Sequence, residues 1–391
     1  MCIKQKLAAI ILAGGYSSRA PAFKPLLPLG SLTVIERAIQ NFQRAGIHNI
    51  VVVLGHRANE LIPVLEHLQV RYVVNENYHA GMFSSILTGV RSLQPDLEAF
   101  YLLPADMPLI KSHTFTTLLR TYQKTGADII YPVFQGVRGH PPLISMRLSP
   151  AILSYVSPGG LRCLLNRYER NAYEVEVFDE GIMRDIDTPE DYRKLIECYN
   201  CRDIPTQQEC DKILAKMKVP DVVIMHSRLV AEVAQKIASR LNENGLHLSL
   251  DLLIAAGLLH DLAKGKPDHA HRGAKMIKKF GYPKVAKIVA AHTDMNVGEE
   301  LLLDETAILY LADKMVENDH IVSIHERFQY SMDKYAKDAA VFAAVTKRLF
   351  TAQSVAQAVE RIAGISLDDV VSIECMAYSF QERQMNNEYA R

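Results

Sequence analysis

Hydrophobic positions follow two different rhythms along the 391-residue chain. In the first half, short and nearly continuous apolar runs alternate with longer stretches in which apolar residues recur every three or four positions. The runs Leu7–Ala13, Ile50–Leu54, Val70–Asn75, Phe100–Leu103 and Ile129–Val133 read as strands. Between them, Thr33–Ala45 sets Val34, Ile35, Ala38, Ile39 and Phe42 on one helical face, and Gly46 supplies a stop. Strands without polar alternation are covered on both faces. The expected fold is therefore a doubly wound, mostly parallel α/β sheet flanked by helices. A last helix opens at Asp187-Thr188-Pro189, where Thr188 caps, Pro189 fits the first turn, and Glu190 and Asp191 suit the positive end of the helix dipole.

After Tyr199 the rhythm changes. From Gln207 onward every periodic stretch has helical spacing, and no strand pattern occurs. The polar segment around Pro205 marks the boundary. The expected organisation is an α/β domain over residues 1–200, a linker over 201–212, and an all-α domain over 213–391. The helical tail beyond Asp338 is assigned no chemistry. No internal repeat is visible.

Composition narrows the function classes. Apolar residues make up 49% and charged residues 23%, as in ordinary globular proteins. The 44 Lys and Arg balance the 44 Asp and Glu, so no basic field points to nucleic acid. No apolar run approaches the roughly 20 residues that span a bilayer, and no membrane association is expected. Lys4 and Lys6 precede the apolar run from Leu7 as in a secretory leader, but the run is short and no small-x-small cleavage signal follows. A buried strand accounts for it. Six cysteines occur, and Cys198, Cys201 and Cys210 cluster near the boundary without a fourth metal partner. Reduced thiols in a cytoplasmic protein are expected.

Four features of the first half would lie beyond the carboxyl ends of strands, where doubly wound sheets bind ligands. One is the loop Ala13-Gly14-Gly15-Tyr16-Ser17-Ser18-Arg19, whose glycines let backbone amides approach an anion. The others are Lys24, Asp106 in "YLLPADMP", and the pair Asp185 and Asp187 in "RDIDTPED". A Gly-Gly loop alone is an ordinary tight turn, and a lone Asp after a strand is an ordinary cap. Together the four describe a triphosphate held by amides and cations, with carboxylates for Mg²⁺. Neither G-x-G-x-x-G nor G-x-x-x-x-G-K-[ST] is present, so dehydrogenase and P-loop readings are unsupported.

The ordered segments "LAGGYSSR", Lys24 with "PLLPLG", "GMFSSI", "LPADMP", "GHPPLI" and "DIDTPEDY" resemble the molybdenum cofactor nucleotidyltransferase family, especially its cytidylyltransferase branch. The resemblance covers roughly residues 5 to 197 and implies a nucleotide-diphospho-sugar-transferase-like fold. It implies that Leu12, Ala13, Gly14 and Gly15 hold the nucleotide, and Arg19 and Lys24 its phosphates. Asp106 with Asp185 or Asp187 would bind Mg²⁺. Gly81, Ser84, Ser85 and His140 would line the pocket of the pterin-side substrate, although His140 also fits a structural loop histidine. Two departures stand out. Arg19-Ala20-Pro21 replaces the family's Arg-Met-Gly, and proline lacks an amide donor. Gly14 stands where the cytidylyl branch tends to have alanine, so both CTP and GTP remain open.

The second half carries inward-facing histidines and acids. On a helix around "VVIMHSRLV", His226 shares a face with Val222, Leu229, Val230 and Val233; His260 and Asp261 adjoin Leu258, Leu259 and Leu262. His292 continues the series Val285, Ile288, Val289, and Asp313 lies with Leu309, Ala312 and Val316. Any one such histidine reads as a satisfied core residue. A carboxylate turned inward is costly unless it is paired or binds a metal, and convergence on a metal explains all five. His and Asp ligands suit Mn, Fe, Ni or Zn.

In order, these residues resemble the HD superfamily of metal-dependent phosphohydrolases, over roughly residues 210 to 330. The resemblance implies that Asp261 bridges two ions, that His226, His260 and Asp313 complete one site, and that His269 and His292 serve the other. His271 is a rival to His269, which fits the spacing to Gly273-Ala274 better. Lys264 would stabilise the phosphate, with Asp261 at the centre of the chemistry. The expectation is a bifunctional enzyme with a nucleotide and a pterin-type cofactor as small-molecule partners, and a molybdoenzyme or cofactor chaperone as a protein partner. One transfers a nucleoside monophosphate to a molybdopterin-type cofactor, releasing pyrophosphate; the other hydrolyses a phosphoester. Two alternatives stand beside it. The acceptor is a sugar- or alditol-phosphate, or the chain is a nucleotide-sensing regulator whose transferase loop Pro21 has disabled.

Overall fold

In the computed structural model, residues 6–15, 23–295 and 301–372 are described. The chain divides into two compact units, Met1–Arg202 and Asp203–Arg391. Among the described residues no helix is long and apolar enough to cross a membrane.

The all-apolar run Leu7–Ala13 forms β1, an interior strand, and shows why both faces of its sheet are apolar. Its odd positions Leu7, Ala9 and Ile11 pack with Ile35, Ile39, Phe42, Phe115 and Leu118. Its even positions Ala8 and Ile10 pack with Ile86, Val90, Ile152, Leu164 and Leu165. Period-2 alternation thus feeds two separate cores, one under each helical layer.

The first unit runs β1, the short hairpin β2 (Pro28–Leu29) and β3 (Leu32–Thr33), α1 (Val34–Arg44), β4 (Ile50–Leu54), α2 (Ala58–His67), β5 (Arg71–Val74) and α3 (Met82–Arg91). It continues with β6 (Ala99–Pro104), α4 (Ser112–Thr125), β7 (Ile129–Phe134), β8 (Val137–Arg138), β9 (Leu143–Ser145), α5 (Ser149–Ser154), α6 (Gly160–Asn166), β10 (Ala172–Glu176) and α7 (Pro189–Asn200). The sheet order is β10-β7-β9-β6-β1-β4-β5. β1 pairs parallel with β4 and β6, and β4 with β5, while the three-residue β9 runs antiparallel between β6 and β7. The expected mostly parallel sheet is present. β9 and β10 were not anticipated, because one is too short for a pattern and the other is a half-exposed edge. The α7 start has the capping box of Thr188 and Asp191, with Pro189 in the first turn.

Among the described residues the second unit is helical apart from one hairpin. It comprises α8 (Gln207–Lys216), α9 (Asp221–Glu243), α10 (Leu250–Leu259), α11 (His269–Lys279), α12 (Pro283–Ala290), α13 (Glu305–Lys314), the hairpin β11 (Val316–Glu317) and β12 (His320–Ile321), α14 (Ile324–Lys334), α15 (Ala339–Ala363) and α16 (Leu367–Ser372). The segment 201–212, read from its polarity as a linker, differs from that reading. α8 begins inside it, capped by Thr206 and Glu209, with Cys210 fully buried. Glu209 accepts the Tyr282 hydroxyl at 2.9 Å, so its carboxylate serves the fold rather than solvent. α10 is apolar on every side from Leu253 and is the buried centre against which α9, α12 and α13 pack. The tail assigned no chemistry forms α15 and α16, which close over α9. Arg240 donates to the Ala363 carbonyl and Lys236 to that of Val371.

Candidate functional site

In the first unit, the carboxyl ends of β1 and β6 open onto a cavity of about 330 Å³. Its walls include Leu12, Ala13, Gly14, Gly15, Lys24, Gly81, Ser85 and Asp106 from the expected set. Gly14 is closely surrounded. A Cβ there would stand 3.2 Å from Ser85 Oγ and 3.5 Å from the Gly55 amide nitrogen, so the loops after β1 and β4 nearly touch. Asn75, buried just past β5, donates to Ser84 Oγ at 2.8 Å and Ser85 Oγ at 2.9 Å, fixing both hydroxyls.

Lys24 begins a tight turn and reaches across to two acids. Its Nζ lies 2.8 Å from Asp187 Oδ1 and 3.3 Å from Asp106 Oδ2. Burial pulls this ammonium down, but Asp187 and Asp106 together outweigh it and raise its pKa above the ordinary lysine value. Burial likewise pushes the Asp106 carboxyl up, against the opposing pull of Lys24, and Asp185 adds repulsion. The structure thus gathers Lys24, Asp106 and Asp187, with Asp185 within electrostatic range.

Ser84, His140, Asp185 and Asp187 lie outside the cavity lining. Ser84 Oγ is spent on the Asn77 and Gly81 carbonyls. His140 keeps an exposed edge, and its backbone amide donates to Ile182 O. Desolvation by its surroundings lowers the imidazole pKa, with Asp185 pulling the other way. Arg19 and Pro21 fall outside the described residues. The sequence reading missed Asn75, Tyr78, His79 and Met82. A polar residue ending an apolar strand run, as Asn75 does, was the available signal.

The second unit builds a denser cluster. His226 comes from the first turns of α9, His260 and Asp261 from the end of α10, His269 from the start of α11, His292 from just past α12, and Asp313 from the end of α13. Six side chains from five helices meet because α9, α12 and α13 pack against the apolar α10 and α11 packs against α12. Asp261 Oδ1 lies 3.3 Å from His269 Nε2 and 3.7 Å from His292 Nε2; its Oδ2 lies 3.4 Å from His260 Nε2 and 3.9 Å from His226 Nε2. Asp313 Oδ1 lies 3.3 Å from His226 Nε2 and 3.4 Å from His260 Nε2. His271 turns instead to Asp268 at 2.9 Å.

The imidazoles are oriented from behind. Nδ1 of His226, His260 and His292 points at the carbonyls of Asn318, Gly257 and Val289, at 3.1, 2.8 and 2.7 Å. A carbonyl only accepts, so Nδ1 carries the hydrogen and a neutral ring turns its Nε2 lone pair inward. Lone pairs and carboxylates then face one another, a repulsive arrangement that only protons or a cation reconcile. Burial favours a neutral His260, but Asp261 and Asp313 outweigh it and raise its pKa to about 10. Burial would raise Asp261 and Asp313; for Asp261 its histidine neighbours, and for Asp313 Lys314 with His226 and His260, instead hold them far below the usual carboxylate range. Burial lowers His292.

The cluster fits a metal. His260 Nε2 and Asp261 Oδ1 are buried without a hydrogen-bond partner. Ligands around one ion at about 2.1 Å stand roughly 3.0–3.4 Å apart, close to the spacings here and longer than charged hydrogen bonds. Two triads qualify, His226–His260–Asp261 and Asp261–His269–His292, sharing Asp261. Among the described residues no such group includes a cysteine. Lys264 Nζ lies 2.6 Å from Asp261 Oδ2 and its side chain is 48% exposed, so its charge can leave the carboxylate for a ligand.

Comparison with known proteins gives residues 9–172 as a match to the MobA-like NTP transferase domain and residues 223–318 as a match to the HD domain. The chain is 29% identical over 191 residues to the molybdenum cofactor cytidylyltransferase of Escherichia coli (strain K12), spanning 49% of this chain and 95% of that protein. It is 28% identical over 197 residues to the nicotine blue oxidoreductase of Paenarthrobacter nicotinovorans, spanning 49% and 96%. Among solved structures, a nucleotidyl transferase from Methanothermobacter thermautotroptrophicus is 24% identical with a TM-score of 0.44, covering 50% of this chain and 98% of that one.

Proposed function

We propose that this chain, which carries a MobA-like NTP transferase domain followed by an HD domain, joins two phosphate chemistries in one polypeptide. The first unit transfers a nucleoside monophosphate from a triphosphate, CTP or else GTP, to the phosphate of a pterin-type cofactor. The acceptor oxygen bonds to the α-phosphorus, the α–β phosphoanhydride bond breaks, and pyrophosphate leaves.

The observation that carries this reading is the convergence of Lys24, Asp106 and Asp187 beside the Gly14–Gly15 loop. Two carboxylates meet on one cationic centre, so the same pair suits Mg²⁺ when Lys24 turns to phosphate. Mg²⁺ would supply charge to neutralise the triphosphate oxygens. Gly14 and Gly15 let backbone amides approach the nucleotide, and Lys24 steadies charge on the reacting phosphate. The name of the Escherichia coli relative supports CTP and the pterin-type acceptor.

The second unit hydrolyses a phosphoester or phosphoanhydride. His226, His260, Asp261 and Asp313 would hold one ion, and His269 and His292 with Asp261 a second. Ions such as Mn, Fe, Ni or Zn would supply a water acidic enough to attack at neutral pH. Lys264, exposed and charged, receives the substrate phosphate. This reading places both reactions in the cytoplasm, with the product passing to a molybdoenzyme or its chaperone.

The test is pyrophosphate release from each of the four nucleoside triphosphates, with molybdopterin cofactor or with sugar- and alditol-phosphates as acceptor. CTP consumption dependent on the pterin acceptor is expected. No release from any pair with Mg²⁺ or Mn²⁺ would sink the transferase reading. For the second unit, no phosphate release by the metal-loaded chain from a broad nucleotide and phosphoester panel would sink the hydrolase reading.

A further inference from the structure

Lys314 is a buried lysine that the metal cluster's own ligands do not require. The residue is 9% exposed, at the end of α13 directly after Asp313. Its Nζ lies 2.5 Å from Asp313 Oδ2 and donates to the His292 carbonyl at 3.2 Å. The ammonium also stands 4.9 Å from the centre of the Tyr310 ring, one turn earlier on the same helix. Tyr310 is itself anchored, donating from its hydroxyl to the Arg348 carbonyl of α15 at 2.9 Å.

A lysine buried at this depth is expensive unless its charge is matched and its donors are used. The matching here is directional. Asp313 has two carboxylate oxygens. Oδ1 faces His226 Nε2 and His260 Nε2, at 3.3 and 3.4 Å, while Oδ2 is held by Lys314 on the side away from them. One oxygen is therefore aimed into the cluster and the other is tied off. The second contact reaches His292, whose ring belongs to the other triad.

We infer that Lys314 is a positioning residue that fixes Asp313 as a one-oxygen ligand of the His226–His260 ion and, through the His292 carbonyl, ties the geometry of the two triads together. It acts through its neighbours. The contrast is Lys264, which pairs with Asp261 in the same manner but is half exposed and open to substrate. Lys314 has no comparable access, because Asp313, the His292 carbonyl and the Tyr310 face surround its ammonium. This inference rests on the metal-centre reading.

The experiment compares the full-length protein with Lys314→Met, which keeps an unbranched side chain one atom shorter and without charge, and Lys314→Arg, which keeps the charge. Mn²⁺ affinity and stoichiometry are measured by titration, coordination by the visible spectrum of the Co²⁺-loaded protein, and folding by circular dichroism. For the Met variant, folded protein with Mn²⁺ affinity at least about tenfold weaker and an altered Co²⁺ spectrum is expected, the range seen when groups that orient ligands are lost. The Arg variant is expected to recover most of the affinity. A folded Met variant with wild-type affinity and spectrum overturns the inference. If the Met variant fails to fold, the Arg variant decides, since loss of affinity there with the fold intact also overturns it. Wild-type protein that takes up neither metal removes the metal-centre reading, and the positioning role falls with it.

Discussion

Gly257 sits in α10 one turn before His260, where α10 packs directly on Ala231 of α9. A Cβ at this position would lie 2.6 Å from Ala231 Cα and 2.8 Å from Ala231 Cβ. Ordinary contacts begin near 3.4 Å, so Gly257→Ala must move two packed helices apart by most of an ångström. Overpacking costs about 1–3 kcal/mol, and a clash against helix backbone, which cannot swing aside, belongs in its upper half, about 2–3 kcal/mol; the better helix propensity of alanine offsets about 1 kcal/mol of it. A net loss of about 1–2 kcal/mol corresponds to a Tm lower by roughly 2–8 °C for a unit of this size. The displacement also reaches the metal cluster. α9 carries His226, and the Gly257 carbonyl accepts from His260 Nδ1 at 2.8 Å. Mn²⁺ affinity should therefore fall with Tm. The control is Gly273→Ala in α11, where a Cβ meets nothing closer than 3.8 Å. That variant should be neutral or stabilised by up to about 1 kcal/mol. Thermal melts and Mn²⁺ titrations of both variants decide the matter. A Gly257→Ala protein as stable and as metal-competent as the wild type would refute the close-packing argument.

Asp261→Asn should strip metal from both triads, whereas Asp313→Asn should leave the His269–His292 side able to bind, as elemental analysis of metal per chain will show. In the metal-free protein the neighbouring carboxylates hold a proton on His260, with a pKa of about 10, and a bound ion needs the ring neutral. Metal uptake at pH 7 should then release about one proton and weaken as pH falls, which calorimetry in buffers of different ionisation heat would measure. Lys24→Met should lower nucleotidyl transfer by about a hundredfold or more. It should also raise the Asp106 pKa further, because the Lys24 charge opposes that rise; carboxyl carbon NMR titration reads this directly. The buried Asp179 accepts from the Lys111 amide at 2.8 Å, Thr114 Oγ1 at 2.6 Å and the Gly181 amide at 3.0 Å. Asp179→Ala should cost about 2–4 kcal/mol in urea denaturation by stranding those donors.

The strands and helices were legible where burial dictates composition. A strand covered on both faces must be apolar at every position, so β1 and β4 announced themselves, and the Thr188-Pro189 start fixed α7 through local capping alone. Local pattern gave helical spacing from Gln207 but misplaced the edge of α8, whose polar first turn and Pro205 suggested a linker reaching residue 212 while Cys210, Ile213 and Leu214 are buried. It failed at β9, whose three residues owe their place to the neighbours β6 and β7.

By itself, then, the sequence determined the α/β and all-helical halves and nominated the carboxylates, histidines and Lys24, because residue type limits what can be buried and what can bind. Only the tertiary structure decided which of these meet. Lys24 and Asp187, 163 residues apart, make an ion pair. Lys314 turns beneath Asp313, against the carbonyl of His292. The close approaches at Gly14 and Gly257 belong to the same class. Contacts of this kind depend on how helices and loops distant in sequence pack, and neither periodicity nor spacing along the chain encodes that separation.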